Sequence, residues 1–243
     1  MRSRFAHFSR TPTGARAGVE RARAYDAWYE TGLGGVARRI ELSLVAGLAV
    51  PVSGERALDV GCGTGVYSVW LAEQGLEVTG IDGDPSMLTV ARAKAPGVCF
   101  VEGEATALPF ADGEFDLALA STLFCFLSPE QRHTAACELL RVVRPGGRVV
   151  IGELARYSLW AAQRRLKGWL GSAAWRTARF TTAGELERLF ERAWASSVTT
   201  RYGLYLPPWD ARVLVERAEA IERLARPLRA VGAAFVVARA DRA

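Results

Sequence analysis

The chain has 243 residues, of which 50% are apolar and 23% are charged, and its formal net charge is +5. This composition excludes a disordered chain, and the length suits one α/β domain with additions. Only two of the 31 basic residues are lysines, an arginine bias that a GC-rich genome produces. The charge therefore does not by itself indicate a nucleic-acid partner, and none is expected.

Cysteine content and hydropathy indicate the cellular compartment in which the protein is expected to lie. The four cysteines form no CxxC pair and the chain has two histidines, so we expect neither a metal site nor a disulfide framework. The Arg-rich N-terminus is followed by no signal-type apolar segment. The longest apolar stretch, residues 42–52, is shorter than the ~20 residues that span a bilayer. These features predict a cytoplasmic protein without a transmembrane segment.

The N-terminal part predicts a tail followed by helices. Residues 1–18 lack periodicity and are expected to be a mobile tail. From Val19 to Ala49 the pattern is helical, with Tyr25 on the first of two helices and a break at Gly32, Gly34 and Gly35. The second helix has an apolar stripe of Leu33, Val36, Ile40, Leu44 and Leu48.

The central part alternates between strand and helix patterns, which predicts crossover connections and a doubly wound parallel sheet. Ser128-Pro129 is a typical helix start. The predicted strands are Arg56–Val60, Glu77–Ile81, Val98–Val101, Phe115–Ala120 and Arg148–Gly152. The predicted helices between them are Val66–Gln74, Ser86–Ala95 and Pro129–Val143.

Beyond Glu153 this order is interrupted. An extra helix is predicted at Ser158–Leu170, and Thr182 with Glu185 forms a capping box for a helix that ends near Arg192. The remaining predicted elements are a strand near Ser197–Arg201, a helix near Trp209–Ala225 and a last strand at Ala233–Arg239.

The strongest functional motif is the glycine turn Leu58-Asp-Val-Gly61-Cys-Gly63-Thr-Gly65, which follows a strand and opens a helix. Alternate glycines let a backbone turn sharply and approach a ligand closely. Asp82 ends the next strand, where a carboxylate can accept hydrogen bonds from ribose hydroxyls. The spacing Gly-x-Gly-x-Gly followed by Val66 differs from the Gly-x-Gly-x-x-Gly pattern of dinucleotide dehydrogenases. A nucleoside-binding site is therefore predicted.

From Arg56 to Glu153 the chain resembles class I S-adenosylmethionine-dependent methyltransferases of the small-molecule, bacterial type. The likeness lies in five ordered segments: Leu58–Gly65, Gly80–Asp82, Glu104–Phe110, Phe115–Leu117 and Leu140–Gly147. It implies a Rossmann-like, seven-stranded, mostly parallel sheet with an antiparallel last strand. It also implies S-adenosylmethionine as cofactor and S-adenosylhomocysteine as product.

The same resemblance implies roles for matching positions. Gly61, Gly63 and Gly65 would lie against the methionine part of the cofactor. Its ammonium would lie near Asp59 and its ribose on Asp82. The other implied contacts are Met87 on the adenine, Glu104 and Ala105 at the adenine amino group, Ser121 at the methionine end and Tyr25 in a closing lid.

No catalytic residue is predicted, because the methyl donor is already activated and a nucleophilic acceptor needs no base. Cys125 lies between two phenylalanines, which predicts a buried thiol of low reactivity. His133 is expected at the surface.

The insert at residues 154–180 combines aromatic and basic side chains, which favours a substrate cap. The residues assigned to the substrate are Phe124, Tyr157, Trp160 and Trp169. A basic amphipathic helix resting on an anionic membrane surface is an alternative, and so is an ordinary packed helix.

We therefore predict one domain, residues 19–243, with a helical lid (19–52), a cofactor-binding core (56–153), the insert (154–180) and a C-terminal part of the sheet (181–243). Its predicted function is methyl transfer to a small, hydrophobic or aromatic acceptor. A non-catalytic S-adenosylmethionine-binding module and a nicotinamide-dependent oxidoreductase are the alternatives.

Overall fold

The computed structural model describes residues 15–193, 195 and 197–243. Seven strands form one sheet in the order β3-β2-β1-β4-β5-β7-β6. All neighbours pair in parallel except β7, which is antiparallel to both β5 and β6. The predicted fold class is confirmed. The strands are β1 (Arg56–Val60), β2 (Glu77–Asp82), β3 (Cys99–Glu102), β4 (Phe115–Ser121), β5 (Val143–Leu154), β6 (Ser197–Gly203) and β7 (Phe235–Asp241).

The helices pack on both faces of this sheet. They are α1 (Ala15–Trp28), α2 (Gly32–Ala49), α3 (Val66–Glu73), α4 (Pro85–Lys94), α5 (Pro129–Val142), α6 (Leu159–Trp169), α7 (Ala173–Thr177), α8 (Ala183–Arg192), α9 (Arg212–Glu216) and α10 (Ala218–Ala225). Short 3-10 turns lie at Phe124–Phe126 and Arg226–Leu228.

Helix starts follow the local capping chemistry. Ser128 and Thr182 each begin a helix with a complete capping box, and Asp84 accepts a hydrogen bond from the Ser86 amide at the start of α4. Each cap satisfies amide groups that have no partner within the first helical turn. The helix starts predicted at Ser128 and Thr182 are confirmed.

The two helices predicted for the N-terminal part are confirmed, but two details of that prediction are wrong. Helix α1 begins at Ala15, so the last four residues assigned to a mobile tail are helical; residues 1–14 lie outside the described residues. The glycines of α2 do not break it, because Thr31 caps the helix and Gly34 lies inside its first turn. A Cβ at Gly34 would lie 2.0 Å from the Trp28 carbonyl oxygen. Gly34 therefore allows α1 and α2 to meet closely.

The single helix predicted at Trp209–Ala225 is two helices, α9 and α10, that separate at Arg217. The change of direction serves two contacts. Val215 on α9 lies against Gly32 of α2, whereas Glu222 on α10 accepts hydrogen bonds from the amides of Leu204, Tyr205 and Leu206. One straight helix would not bring Val215 to Gly32 and also Glu222 to the amides of residues 204–206.

Each sheet face has its own apolar core. Side chains of α5 and α8 cover one face, and side chains of α2, α3, α6 and α10 cover the other. The end of α2 is fixed by Arg148, whose guanidinium donates to the carbonyls of Ala49 and Val50 and forms an ion pair with Glu55 at 2.6 Å. Because the regular pairing of β5 with β4 begins at Arg148, this contact places the C-terminus of α2 beside that part of β5.

None of the helices in the described part of the chain is both long enough and apolar enough to cross a membrane.

Candidate functional site

The glycine turn links β1 to α3 at the carboxyl edge of the sheet. Gly61, Gly63 and Gly65 have φ angles of +68°, +53° and +79°, values that side chains strongly disfavour. A Cβ at Gly61 would lie 2.8 Å from Leu123, whereas none of the described atoms lies within 4 Å of a Cβ at Gly63. The turn is therefore packed against Leu123 at Gly61 and open at Gly63. A ligand that approaches the backbone closely requires such an opening.

Asp82 stands beside this opening. One of its carboxylate oxygens accepts a hydrogen bond from the Gly63 amide at 2.8 Å, and the other accepts one from the Asp84 amide at 2.8 Å. Burial raises the pKa of Asp82, and these two amides oppose the rise. Glu104 follows β3, and its carboxyl oxygen lies 3.3 Å from the Cβ position of Gly83. Two carboxylates thus line neighbouring strand ends.

Asp59 and Ser121 lie on the two central strands, β1 and β4. Asp59 is buried and accepts a hydrogen bond from the Ser68 hydroxyl at 2.6 Å, and burial raises its pKa to about 7. Ser121 is 7% exposed, and its hydroxyl has no hydrogen-bond partner among the described residues. A buried hydroxyl without a partner costs free energy unless a ligand or water satisfies it.

Helix α1 closes over this edge. Asp26 accepts hydrogen bonds from the Thr64 hydroxyl at 2.8 Å and from the Lys94 ammonium at 2.5 Å, and so joins α1 to the glycine turn and to α4. Tyr25 and Tyr29 share a hydrogen bond between their hydroxyls at 3.0 Å. The helix predicted as a lid is therefore docked on the glycine turn. Of the other predicted cofactor contacts, Met87 and Ala105 are half-buried.

A group of polar side chains, which we call the inner polar cluster, includes Tyr25 of α1, which is 40% exposed, and more buried side chains of other elements. Glu41 of α2 is 5% exposed, and the charge of Arg164 on α6 acts on its carboxylate. Burial raises the pKa of Tyr67 on α3 well above its ordinary value, and the charge of Glu41 adds to the rise. The cluster consists of Tyr25, Tyr29, Glu41, Tyr67, Ser121 and Arg164, and it joins the lid, the insert helix and the end of β4.

The four side chains assigned to the substrate occupy different environments. Phe124 is 1% exposed and belongs to a core. Trp160 is buried, donates its indole N–H to the Leu206 carbonyl at 2.6 Å and contacts Trp28 edge-on. Tyr157 and Trp169 are exposed, the latter at 84%. The structure thus brings Trp160 toward the lid and leaves Tyr157 and Trp169 at the surface.

Three other reactive side chains, Cys125, His133 and Glu153, have surroundings that fit a structural role. Cys125 is fully buried, and burial raises the pKa of its thiol, in line with the low reactivity predicted. His133 is exposed on α5, as predicted. Glu153 is buried, but its carboxylate accepts a hydrogen bond from the Phe124 amide at 2.7 Å.

Sequence reasoning missed Glu41, Tyr67 and Asp26. The signal for Glu41 was available: Ala37 and Val45 precede and follow it by four residues, so all three share the buried face of α2. The signal for Tyr67 was its position, because it is the second residue of α3 and follows the glycine turn closely. Asp26 carried no signal in the sequence, because its partners lie 38 and 68 residues away.

Residues 58–151 match the family model of a methyltransferase domain. A demethylmenaquinone methyltransferase of Renibacterium salmoninarum is 40% identical over 112 residues, which are 46% of this chain and 46% of that protein. The aligned part thus spans about half the length of that relative. An uncharacterized protein of Mycobacterium tuberculosis is 32% identical over 211 residues, 86% of this chain and 70% of that protein.

Solved structures share the fold. An S-adenosylmethionine-dependent methyltransferase of Thermotoga maritima, described as a possible histamine N-methyltransferase, superposes with a TM-score of 0.71 at 23% identity over 95% of this chain and all of that one. Phosphoethanolamine N-methyltransferase 2 of Haemonchus contortus, bound to S-adenosylmethionine, gives 0.59 at 14% identity, over 83% of this chain and 52% of that one. The sheet order, the glycine turn and these matches show that the chain belongs to the class I S-adenosylmethionine-dependent methyltransferases.

Proposed function

We propose that this protein transfers a methyl group from S-adenosylmethionine to a small acceptor that carries a conjugated ring. The observation that carries the proposal is the opening at Gly63, where the backbone is bare and Asp82 stands beside it. A nucleoside that enters there finds a carboxylate for its ribose and amides of the turn for close approach. This edge is also where open α/β sheets bind ligands.

The residues around the opening fit the cofactor. Gly61, Gly63 and Gly65 would border its methionine part. A cationic ammonium near Asp59 would favour ionisation of that carboxyl, whose pKa burial raises to about 7. The Ser121 hydroxyl lacks a partner among the described residues, and a polar ligand at the end of β4 would supply one. Asp82, Met87, Glu104 and Ala105 would hold the adenosine part.

The cofactor, when bound, supplies a methyl group on a positively charged sulfur that is already activated for displacement. The protein therefore acts by alignment and by exclusion of water. Helix α1 covers the site through Asp26, Thr64 and Lys94. Tyr25 would close the lid over the reacting groups.

The nature of the acceptor is supported by the surroundings and by the relatives. Trp28, Trp160 and the tyrosines of the inner polar cluster form an aromatic environment that suits a planar molecule. Relatives named demethylmenaquinone methyltransferases act, by that name, on a quinone. A small quinol-like acceptor fits both.

The test is calorimetry of the purified protein with S-adenosylmethionine, S-adenosylhomocysteine and NADH. We expect binding of the first two and none of NADH. Asp82→Ala should weaken binding about 10- to 150-fold, because it removes hydrogen bonds to a charged group.

The matched control is Asp84→Ala, which removes the cap of α4 two residues away. It should lower thermal stability and leave cofactor affinity nearly unchanged. Binding of NADH alone would support an oxidoreductase and contradict the proposal. Equal affinity of the Asp82→Ala variant and the wild type would remove Asp82 from the site.

A further inference from the structure

Strand β4 ends in a short turn that contacts both the glycine turn and the insert. We call it the β4 turn, and it consists of residues 122–127. Thr122, its first residue, has a φ angle of +52°, which a β-branched side chain strongly disfavours. Such a conformation persists only where neighbouring groups hold the backbone in place. The contacts of the β4 turn therefore indicate what requires this conformation.

The first contact of the β4 turn is with the glycine turn. A Cβ at Gly61 would lie 2.8, 3.0 and 3.1 Å from three carbon atoms of the Leu123 side chain. Real Cβ atoms do not approach other carbons this closely, so the two residues are in direct packing contact. Gly61 is the first glycine of the turn and has a φ angle of +68°. Leu123 therefore supports the backbone of the glycine turn where that backbone leaves β1.

Two charged side chains hold the backbone of the next residue, Phe124. The carboxylate of Glu153 on β5 accepts a hydrogen bond from its amide at 2.7 Å, and the Nε–H of Arg132 on α5 donates to its carbonyl oxygen at 2.7 Å. Hydrogen bonds with a charged partner are among the stronger ones in proteins. Because the Phe124 amide belongs to the peptide bond with Leu123, these contacts fix the backbone from which Leu123 reaches Gly61.

Glu153 is an unexpected residue at the end of β5. It is 1% exposed, and the positions around it in the strand are buried. An apolar side chain would pack there without the cost of desolvating a carboxyl group, which hydrogen bonds only partly offset. The geometry gives this carboxyl a specific task, because its shortest hydrogen bond is the one from the Phe124 amide.

The β4 turn also contacts the end of the insert. The Cys125 carbonyl accepts a hydrogen bond from the Arg179 amide at 2.8 Å, and Arg132 donates a second hydrogen bond, to the Arg179 carbonyl, at 3.1 Å. The Cys125 side chain belongs to a small apolar cluster with Leu154, Ala161, Trp175 and Phe180. The β4 turn and the end of the insert are therefore held together as one unit.

We propose that Glu153 and Arg132 are positioning residues of the cofactor site: they hold the β4 turn so that Leu123 supports the glycine turn at Gly61. Each acts through the Phe124 backbone rather than by contact with the cofactor. This inference rests on the proposed S-adenosylmethionine site, and it adds two residues that belong to none of the cofactor positions assigned above.

Loss of either hydrogen bond should weaken cofactor binding through the order of the β4 turn. Without it, the strained backbone at Thr122 can relax, and Leu123 then leaves Gly61 in part of the population. A ligand that binds only the ordered form has an apparent Kd divided by the fraction of protein in that form. The affinity therefore falls although no contact with the ligand is removed.

The first test is calorimetry of the purified variants with S-adenosylhomocysteine. We expect Glu153→Ala to raise the Kd about 5- to 30-fold, because the turn must be ordered again on binding. Glu153→Gln keeps an oxygen that can accept the Phe124 amide, so its Kd should stay within about threefold of the wild type. Arg132→Ala replaces a partly exposed helical residue by a good helix former and should raise the Kd about three- to tenfold.

Two variants serve as matched controls. Glu222→Ala removes another carboxylate that accepts backbone amides, those of residues 204–206. Arg156→Ala removes another arginine that donates to the end of the insert, at the Phe180 carbonyl. Neither of these hydrogen bonds reaches the β4 turn. Both controls should lower the Tm and leave the Kd of S-adenosylhomocysteine nearly unchanged.

A double-mutant cycle distinguishes positioning from a general loss of stability. If Glu153 acts through Leu123, Leu123→Ala alone should weaken S-adenosylhomocysteine binding, and Glu153→Ala should then weaken it by less than about twofold more. A side chain with a merely structural role would reduce the affinity by the same factor in both backgrounds. Arg132→Ala enters the same cycle and decides the question if Glu153→Ala does not fold.

The outcomes separate this inference from the proposed function. An unchanged Kd in Glu153→Ala, a Glu153→Gln variant as weak as Glu153→Ala, or effects that multiply with those of Leu123→Ala would each overturn the inference. All three results leave binding by the wild type intact. A wild type that does not bind S-adenosylhomocysteine would instead remove the proposed function, and the inference with it.

Discussion

Among the residues that the structure describes, three carboxyl groups are buried: Glu41, Asp59 and Glu153. Burial raises the pKa of each to about 7. Ser68 donates to Asp59, and the amide of Phe124 donates to Glu153. Glu41 has no comparable donor among the described residues. Its burial is therefore the least compensated of the three, and its effect on stability should be the easiest to measure.

The sign of that effect follows from proton linkage. The pKa of Glu41 is about 7 in the folded protein and 4.5 for an ordinary glutamate. Between these values the folded state binds more protons than the unfolded chain, so stability falls as pH rises. The contribution of Glu41 is fully present below pH 4.5 and is lost as pH rises through about 7.

Glu41→Gln should therefore stabilise the protein at alkaline pH. Glutamine keeps the shape of a protonated glutamate and removes the buried charge. We expect the Tm at pH 8 to rise by on the order of 5 °C, and the Tm at pH 4.5 to stay the same. Scanning calorimetry at both pH values, with Arg39→Gln as control, measures the difference. An equal change at both pH values would contradict the assignment of the elevated pKa to Glu41.

At the scale of elements, helix α1 packs on α4 through buried Ala17 and Ala22, and one side chain hydrogen-bonds it to the glycine turn. Asp26 joins it to Thr64 of the glycine turn and to Lys94 at the end of α4. Both contacts are only partly buried, so each contributes modestly. This is the arrangement expected of a lid that must open for exchange of ligand and close during reaction.

Asp26→Ala should loosen the lid. We expect S-adenosylhomocysteine to dissociate several-fold faster, with its association rate little changed, because the mutation removes contacts that hold the closed form. Stopped-flow displacement measures both rates. Glu20→Ala, which removes an exposed carboxylate from the same helix, is the control. If the two variants dissociate at the same rate, α1 does not gate the site through Asp26.

The start of a helix could be predicted where the residues that fix it lie close together in the sequence. The caps at Ser128 and Thr182 lie within three residues of the amides that they bind, so the start of each helix could be predicted from the sequence. The role of Gly34 could not, because its reason is a carbonyl on another helix. The apolar stripe on α2 was incomplete for another reason: it considered apolar residues only, although helical spacing from Ala37 and Val45 also puts Glu41 on the buried face.

At the scale of the whole molecule, strand and helix alternation predicted the sheet, because crossover connections allow few topologies. The same rule placed Asp82 and the glycine turn at one edge, and the resemblance to the methyltransferases added Glu104. The inner polar cluster was not predictable in this way. Its residues lie between Tyr25 and Arg164, so they are far apart in the sequence and no local pattern links them.

The insert also presents an outward face. Leu159, Leu166, Trp169 and Leu170 are all more than half exposed, and residues 154–180 contain six basic and no acidic side chains. Apolar and basic side chains on one helix match an anionic lipid surface.

We therefore expect the protein to bind phosphatidylglycerol vesicles at low salt and to leave them in about 1 M salt, where charges are screened within a few ångströms. Trp169→Glu should prevent binding. Leu224→Glu alters an equally exposed leucine on α10 and serves as control. Sedimentation measures the bound fraction. Vesicle binding that survives Trp169→Glu, or no binding at low salt, would rule out this face.

The most direct test of the account is methyl transfer itself. The protein is incubated with S-adenosylmethionine and a reduced demethylmenaquinone, and mass spectrometry follows both products. We predict that S-adenosylhomocysteine and a singly methylated acceptor form in equal amounts, and that Asp82→Ala slows both at least about tenfold at limiting cofactor. Tight binding of S-adenosylmethionine with neither product, for this quinol and for simpler hydroxyl acceptors, would contradict the account and indicate a binding module instead.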